Sequence, residues 1–269
     1  MKKSILLLFI ALIPFLALAQ TAEEYYKMGV AKSKKGDWRG AIEYLNNAIE
    51  INPTFTKAYG IRGYAKHEMG DYEGAIQDYS KTLETNPSFA TGYFQRGYAK
   101  HELGDYEGAI KDYNKAIELN PDNAEAYNNR GVGKGELGDY RGAIKDYNKA
   151  IELNPDYAGA YYNRGSAKRK LGDNSGALQD FNKAIEIDPN YYEVYNHRGF
   201  AKGELGDYKE AIQDYNKAIE INPNYAFAYH SRGLTKIILG QKDSGCQDLS
   251  KAGELGLSQA YDAIKQVCQ

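Results

Sequence analysis

Residues 124–157 read AEAYNNRGVGKGELGDYRGAIKDYNKAIELNPDY, and a closely similar stretch recurs every 34 residues along most of the 269-residue chain. One proline per repeat marks the period: Pro53, Pro87, Pro121, Pro155, Pro189 and Pro223. With proline at position 32, the repeats begin at Ala22, Thr56, Ala90, Ala124, Ala158, Tyr192 and Ala226. A fixed period of this length is typical of a stacked array, in which each repeat buries its apolar face against its neighbours.

Each repeat carries the signals of two helices. Position 4 is tyrosine and position 8 is glycine in all seven repeats, as in Tyr127 and Gly131, and positions 4, 7, 8 and 11 share one helical face. Position 15 is always glycine, which is the expected left-handed end of that helix. Aspartate at position 16, such as Asp139, is expected to cap a second helix, which the proline ends. The repeat is predicted to be a helix–turn–helix.

This pattern resembles the tetratricopeptide repeat family. The family's positions 4, 8, 11, 20, 24, 27 and 32 correspond to Tyr127, Gly131, Lys134, Ala143, Tyr147, Ala150 and Pro155. The chain departs from the family by carrying mostly arginine at position 7 and lysine at position 11, as bacterial members do. The resemblance implies an all-α, right-handed solenoid of about seven repeats over residues 20–259, with a C-terminal capping helix at 260–269. It also implies a non-enzymatic scaffold for protein–protein interactions, although the fold alone does not identify a partner.

The charged residues at positions 7 and 23 are present in the same repeats and missing from the same one. Arginine occupies position 7 and aspartate position 23 in repeats two to seven, and repeat one lacks both. We predict pairing within a repeat, because pairing between neighbours would leave an end residue without a partner, and a buried charge needs compensation. The predicted pairs are Arg62 with Asp78, Arg96 with Asp112, Arg130 with Asp146, Arg164 with Asp180, Arg198 with Asp214, and Arg232 with Asp248. A ladder of anion-binding arginines is the alternative. The lysines at position 11 either join the same aspartates or form a solvated row.

Neither the composition nor the motifs predict catalysis. A formal net charge of −2 without a basic block argues against a nucleic-acid partner. The GxGxxG string at 133–138 lies at the end of a predicted helix, whereas a nucleotide-binding glycine loop follows a strand. His67 with His101, and His197 with His230, could approach each other as metal ligands, but they lack co-ligands at suitable spacing, which favours polar groove residues. We predict no enzyme activity, no cofactor and no metal.

The first 19 residues, MKKSILLLFIALIPFLALA, combine a basic start, an apolar run and a small-residue end. They are typical of a secretory signal cleaved before Gln20, and a retained anchor is the alternative, although the run is short for a membrane span. We therefore expect export to the periplasm or exterior of a bacterium, with no stable membrane span after cleavage. Export would favour a disulfide between the only cysteines, Cys246 and Cys268, with two free thiols as the alternative.

The resemblance implies that the first helices line a concave groove through positions 2, 5, 6, 9, 12 and 13. These positions vary here while the packing positions repeat, which is typical of a binding surface. The groove candidates are aromatic, amide and basic residues: Tyr64, Phe94, Tyr98, Asn128, Asn129, Tyr162, Asn163, Arg169 and Phe200. Such a set suits an extended peptide or protein segment. An exported glycan- or peptidoglycan-binding module is the alternative function, and packing between repeats or subunits is another interpretation of the aromatic rings. The sequence predicts neither the partner's identity nor an oligomeric state.

Overall fold

The computed structural model describes residues 20–268, and within that range it contains fifteen α-helices and no strand. The predicted signal peptide, residues 1–19, lies outside the described residues. The chain divides into two compact units, an N-terminal unit ending at Gly104 and a C-terminal unit beginning at Asp105. The all-α fold predicted from the sequence is confirmed.

Every repeat contributes two helices, and the first helix of each begins where the repeat begins. The first helices are α1 (Ala22–Ser33), α3 (Thr56–Glu68), α5 (Ala90–Glu102), α7 (Ala124–Glu136), α9 (Ala158–Lys170), α11 (Tyr192–Glu204) and α13 (Ala226–Ile238). The second helices are α2 (Trp38–Ile51), α4 (Tyr72–Thr85), α6 (Tyr106–Leu119), α8 (Tyr140–Leu153), α10 (Asn174–Ile187), α12 (Tyr208–Ile221) and α14 (Lys242–Glu254). A final helix, α15 (Ser258–Val267), packs on α14.

The glycine at position 15 turns the chain between the two helices of each repeat. Its φ angle lies between +73° at Gly36 and +90° at Gly206, and the other five repeats fall within these limits. Side chains with a Cβ rarely adopt this left-handed conformation, so glycine is the residue that fits. The predicted stop signal is confirmed.

Aspartate at position 16 caps the second helix in the first five repeats. Its carboxylate accepts a hydrogen bond from the backbone N–H at position 19, which is glycine in each of these repeats. A Cβ at Gly142 would overlap the carboxylate of Asp139 as it is placed, so a larger residue there would require the carboxylate to shift. In repeat six, position 19 is Glu210 and Asp207 makes no such bond. Asp207 occupies the predicted N-cap position, but it lacks the side-chain hydrogen bond found in the first five repeats.

Small residues allow the two helices of a repeat to approach closely. In the N-terminal unit, a Cβ on Gly63 would lie 3.0 Å from Cε1 of the buried Tyr79. In the C-terminal unit, a Cβ on Gly131 would lie 2.6 Å from Cε1 of Tyr147. The glycine at position 8 thus seats the aromatic ring at position 24, and buried alanines complete the core around it.

Candidate functional site

The arginine at position 7 and the aspartate at position 23 meet inside a repeat, as repeat four shows. Arg130 Nε donates to Asp146 Oδ2 at 2.9 Å, while its Nη2 donates to Oδ1 of the same carboxylate. The guanidinium carbon lies 5.3 Å from the ring centroid of Tyr127, and Nη1 donates to Oδ1 of Asn114 in the preceding repeat at 2.7 Å. One arginine therefore holds an aspartate of its own repeat, a tyrosine face and an amide of the previous repeat.

The same bidentate pair recurs with little change in four other repeats: Arg62 with Asp78, Arg164 with Asp180, Arg198 with Asp214, and Arg232 with Asp248. The remaining predicted partners, Arg96 and Asp112, belong to different units of the chain, and within its own unit Arg96 donates to Ser80 Oγ at 3.0 Å. These arginines are engaged inside the fold rather than presented to a ligand.

The lysine at position 11 joins this network. Lys134 Nζ lies 2.7 Å from Asp146 Oδ2, so this buried carboxylate faces two cations. Equivalent contacts of 2.7–2.9 Å join Lys66 to Asp78, Lys168 to Asp180, Lys202 to Asp214, and Lys236 to Asp248. Of the two interpretations left open by the sequence, the structure shows the ion pair in these five repeats.

The variable side chains at positions 2, 5, 6, 9, 12 and 13 of the first helices form a surface that we call the first-helix face, and we describe it for each unit separately. In the N-terminal unit, Tyr64 and Tyr98 lie on this face and are 37% and 36% exposed. Tyr64 meets Trp38 edge-on at 5.7 Å between ring centroids, and Tyr98 packs at 5.0 Å from the ring of His67. Phe94, on the same face, is less exposed than either tyrosine. Each tyrosine ring is therefore partly exposed to a ligand and partly packed, against Trp38 or His67.

A cleft of about 430 Å³ opens beside these rings in the N-terminal unit. Its walls are largely apolar and include Tyr26, Ile61, Tyr64, Tyr79, Phe89 and Gly92. Polar side chains such as Lys57 and Gln95 stand at its edge. A space of this size with apolar walls and a few polar groups is typical of a binding pocket.

Amide groups bridge neighbouring repeats in the C-terminal unit. Asn163 Nδ2 donates to Asn128 Oδ1 at 3.0 Å, and Asn128 Nδ2 donates to Asn129 Oδ1 at 3.1 Å. Asn128 is buried, whereas Asn129 and Asn163 are partly exposed. The structure thus brings these three predicted residues together, with Asn128 positioning the other two and Asn163 lining a second cleft of about 340 Å³.

Tyr162 and His197 form a polar pair on the same face. The hydroxyl of Tyr162 lies 3.1 Å from His197 Nε2, and the two rings meet edge-on at 5.1 Å. Burial, followed by the positive charges of Arg169 and Lys170, lowers the pKa of His197 to about 4. His197 is therefore neutral at physiological pH and keeps Tyr162 in place.

Arg169 stacks on Phe200 in the next repeat. Its guanidinium carbon lies 4.6 Å from the ring centroid, and its Nε is buried without a hydrogen-bond partner among the described residues. Phe200 remains 41% exposed, so the opposite face of its ring is available for contact. Arg169 and Phe200 therefore present a cationic and aromatic platform beside the asparagines.

The two cysteines are joined by a disulfide, with their Cα atoms 5.9 Å apart. The bond connects α14 to the end of α15. A Cβ on Gly253 of α14 would lie 2.8 Å from Tyr261 of α15, so the last helix lies directly against its neighbour.

Two further kinds of feature are absent from the residues that the structure describes, namely a metal-binding cluster and a membrane-spanning helix. Between residues 20 and 268, no cluster of three or more histidine, cysteine, aspartate or glutamate side chains has an arrangement that could hold a metal ion. Over the same part of the chain, no helix combines the length and apolar character needed to cross a membrane.

Sequence features missed part of this site. The asparagine at position 25 was not predicted as an arginine partner, because it lies in the preceding repeat and its role depends on stacking. The bond between Tyr162 and His197 joins positions 5 and 6 of adjacent repeats, whereas the sequence predicted His197 as a polar groove residue without a partner in the preceding repeat. A map of positions onto adjacent first helices would have suggested that contact.

Three family models match the chain, and the matches of one of them begin where repeats begin. A model described as "Tetratricopeptide repeat" matches residues 22–55, 158–191 and 192–225, and a second model of that description matches 214–247. A model described as "TPR repeat" matches residues 63–104, 97–132 and 136–171. The matches together extend over most of the described chain.

Individual relatives agree on the fold. The crystal structure of a tetratricopeptide repeat protein from Parabacteroides merdae ATCC 43184 is 25% identical, with a TM-score of 0.73, and the match covers 91% of this chain and 96% of that one. The crystal structure of MamA is 30% identical, with a TM-score of 0.54, covering 61% of this chain and 96% of that one. The uncharacterized protein MJ0572 of Methanocaldococcus jannaschii is 53% identical over 38 residues, which are 14% of this chain and 44% of that protein.

Proposed function

Because the chain belongs to the tetratricopeptide repeat family, we propose that it is a protein-interaction scaffold whose first-helix face binds an extended peptide or protein segment. The single observation that carries this proposal is the presence of exposed rings, Tyr98 and Phe200 among them, on a face whose neighbouring packing positions are buried. Aromatic rings supply contact area at a low cost in side-chain entropy. Beside them, Asn129 and Asn163 provide hydrogen-bonding groups suited to a peptide backbone.

The contacts around Phe200 support a binding role over a purely structural one. One face of its ring carries Arg169, and the ring is still exposed. Arg169 has a buried Nε without a partner among the described residues, so part of its hydrogen-bonding capacity is unused. A bound segment would contact the exposed part of the Phe200 ring, beside the positive charge of Arg169.

The test is selection of peptides from a random library displayed on phage, followed by titration of the selected peptides. We expect Tyr98→Ala or Phe200→Ala to weaken binding of at least some selected peptides by about tenfold or more, as for other buried-on-binding aromatic anchors. Leu171→Ala is the matched control, because Leu171 is an exposed apolar residue outside the first-helix positions. Unchanged affinities for both aromatic variants would contradict the proposal.

The same assay distinguishes a peptide from a glycan ligand. Soluble peptidoglycan fragments and oligosaccharides are added as competitors of the selected peptides. Failure of these sugars to compete supports the peptide site. Direct saturable binding of a sugar, lost in Phe200→Ala, together with no peptide selected, would replace it with a glycan site.

We further propose that the protein is exported from a bacterial cell. The leader-like residues 1–19 and the disulfide between Cys246 and Cys268 support this location. Cell fractionation is expected to place the protein outside the cytoplasm only when residues 1–19 are present. Recovery of both forms in the cytoplasm would contradict the proposal.

A further inference from the structure

An aromatic pair recurs within single repeats between position 5, on the first-helix face, and position 34, which precedes the next first helix. In repeat one, the ring centroids of Tyr26 and Phe55 lie 5.0 Å apart with a tilt of 44°. In repeat five, those of Tyr162 and Tyr191 lie 5.4 Å apart with a tilt of 45°. Both geometries fall in the favourable range for aromatic pairs, and the ring at position 34 is partly buried in each case.

Repeat two has only half of this pair. Position 34 is Phe89, but position 5 is Gly60, so the ring that would cover Phe89 is absent. Phe89 is 38% exposed, whereas Phe55 and Tyr191 are more buried. The phenylalanine is held in place all the same, because a Cβ on Gly92 would lie 2.7 Å from its Cδ1.

Packing does not require glycine at residue 60. A Cβ built there meets only the side chain of Thr82, at 3.7 and 3.8 Å, which is ordinary contact. By contrast, Gly63 on the same helix faces Tyr79 at 3.0 Å. Glycine within a helix is destabilising relative to alanine, so packing or function must account for it. The consequence of Gly60 is therefore open space rather than a close helix approach.

That space is the cleft of about 430 Å³ in the N-terminal unit, with Gly60 and Phe89 both in its lining. A cavity of about 150 Å³ is large enough to bind benzene. The cleft is therefore large enough for an aromatic ring together with its flanking backbone. Tyr26 and Tyr64 supply further ring surface, and Gln95 offers an amide at the edge.

We propose that this cleft receives a tyrosine or phenylalanine side chain of a bound polypeptide, seated against Phe89 where the position-5 ring lies in repeats one and five. The inference rests on the proposed function, since such a side chain arrives as part of a peptide segment. It goes beyond that function by assigning one subsite and one class of side chain. Repeats one and five show which side chain covers the position-34 ring.

The first experiment uses N-acetyl-L-tyrosinamide, N-acetyl-L-phenylalaninamide and N-acetyl-L-alaninamide as probes, titrated into the isotope-labelled protein and followed by NMR. The two aromatic probes are expected to shift the amide signals of Gly60, Thr82 and Gly92, and the alanine probe is expected to leave them unchanged. Absence of aromatic-specific shifts at these residues would overturn the proposal.

A variant that fills the cleft from within provides the decisive comparison. Gly60→Tyr places a ring where Tyr162 lies in repeat five, and it is expected to reduce aromatic-probe affinity at least tenfold. Gly203→Tyr is the matched control, because Gly203 is also a first-helix glycine with open space around its Cβ position. The control is expected to bind the probes as the wild type does. Equal binding by wild type and Gly60→Tyr would overturn the subsite.

Phe89→Ala keeps the test decisive if Gly60→Tyr does not fold. It removes the ring partner without filling the cleft, and it is expected to lower aromatic-probe affinity at least tenfold. Unaltered binding in a folded Phe89→Ala protein would overturn the proposal. Failure of this subsite can be distinguished from failure of the proposed scaffold function. Phage-selected peptides whose binding depends on Phe200 but not on Gly60 would support the scaffold and refute the subsite.

Discussion

Arg130 illustrates how a single side chain connects the helices of this fold. It forms a bidentate pair with Asp146, and the two side chains are only 17% and 5% exposed. Removing one partner of a buried pair is strongly destabilising, because the other charge loses its compensation. Here Lys134 also contacts Asp146, so the loss of Arg130 leaves one cation in place.

We expect Arg130→Met to lower the free energy of unfolding by about 3 kcal/mol, the lower end of the range for a stranded buried charge. Adding Asp146→Tyr, the residue type found at this position in repeat one, is expected to recover part of that loss. Urea denaturation of the two single variants and the double variant measures the coupling. Strictly additive losses would argue against a mutually dependent pair.

Lys149→Met provides a control from the same repeat. Lys149 pairs with Glu152 one helical turn away at 2.7 Å, but both side chains are exposed. Exposed pairs contribute little, so we expect a change in the free energy of unfolding much smaller than that of Arg130→Met. A loss as large as that of Arg130→Met would indicate that charge removal itself, rather than burial, controls stability.

The second residue-scale prediction concerns acid stability. The pKa of His197 is about 4 in the folded protein, compared with about 6.5 in an unfolded chain. Below pH 6.5 the unfolded state binds a proton that the folded state does not, so the free energy of unfolding falls as the pH drops towards 4. The stability associated with neutral His197 is therefore present above pH 6.5 and lost below it.

His197→Gln removes this titration and keeps a side chain able to hydrogen-bond Tyr162. Between pH 7 and pH 4.5, we expect the variant to lose about 2 kcal/mol less stability than the wild type. Urea denaturation at several pH values gives the difference, which isolates His197 from the carboxylates that titrate in both proteins. Parallel stability curves would contradict the prediction.

The arginine–aspartate pairs could be predicted from sequence because the two residues occur in the same six repeats and are missing from the same one. The arginine's other partner, the side chain at position 25 of the preceding repeat, could not be predicted in this way. Position 25 is asparagine in five repeats and serine in two, as in Asn114 and Ser80, and contacts the arginine only after two repeats stack. The predicted groove residue Asn128 shows a similar limit, because its burial depends on the neighbouring Asn163.

At the scale of single helices, the first turn of each second helix depends on two residues together. Asp139 Oδ1 accepts from the backbone N–H of Gly142 at 2.8 Å, whereas Asp207 has Glu210 at the equivalent place and makes no cap bond. Aspartate at position 16 alone predicted both caps. The five capped repeats all have glycine three residues later, where a Cβ would crowd the carboxylate as it is placed.

Asp139→Ala is expected to destabilise the protein by about 1 kcal/mol, the usual effect of losing a side-chain N-cap. Asp207→Ala is its matched control, because both aspartates lie near a helix N-terminus and only one accepts the capping bond. We expect the control to lose less than half as much stability in thermal or urea unfolding. Equal losses would mean that charge near the helix end, rather than the hydrogen bond, is responsible.

The helix boundaries themselves were largely predictable, since glycine at position 15 and proline at position 32 restrict the backbone directly. Gly138, with φ of +82°, ends α7 in the predicted manner. The vacancy beside Phe89 was not predicted. In the sequence, Gly60 cannot be distinguished from glycines that packing requires, and only the structure shows that it leaves the Phe89 ring uncovered.

On the scale of the whole chain, stability is expected to depend on contacts between adjacent repeats. In repeat proteins, each repeat contacts mainly its neighbours, so stability is approximately a sum of local and nearest-neighbour terms. The bond from Arg130 to Asn114 is one such term, and it recurs within the C-terminal unit in Arg164 with Asn148, and in Arg198 with Asn182. A local change should therefore have its largest effect close to its own repeat.

The disulfide between Cys246 and Cys268 tests this locality at the end of the chain. It closes a segment with a sequence separation of 22 residues and joins α15 to α14. Closing a loop of this size is worth about 3 kcal/mol in the chain-entropy description.

The Cys246→Ala, Cys268→Ala double variant is therefore expected to open α15 more readily, with amide hydrogen exchange in that helix up to about 100-fold faster. Amides of α9 and α10 should exchange as in the wild type, and a reducing agent should reproduce the effect in wild type alone. Unchanged exchange in α15, or equal acceleration in α9 and α10, would contradict a staple that acts on the last helix.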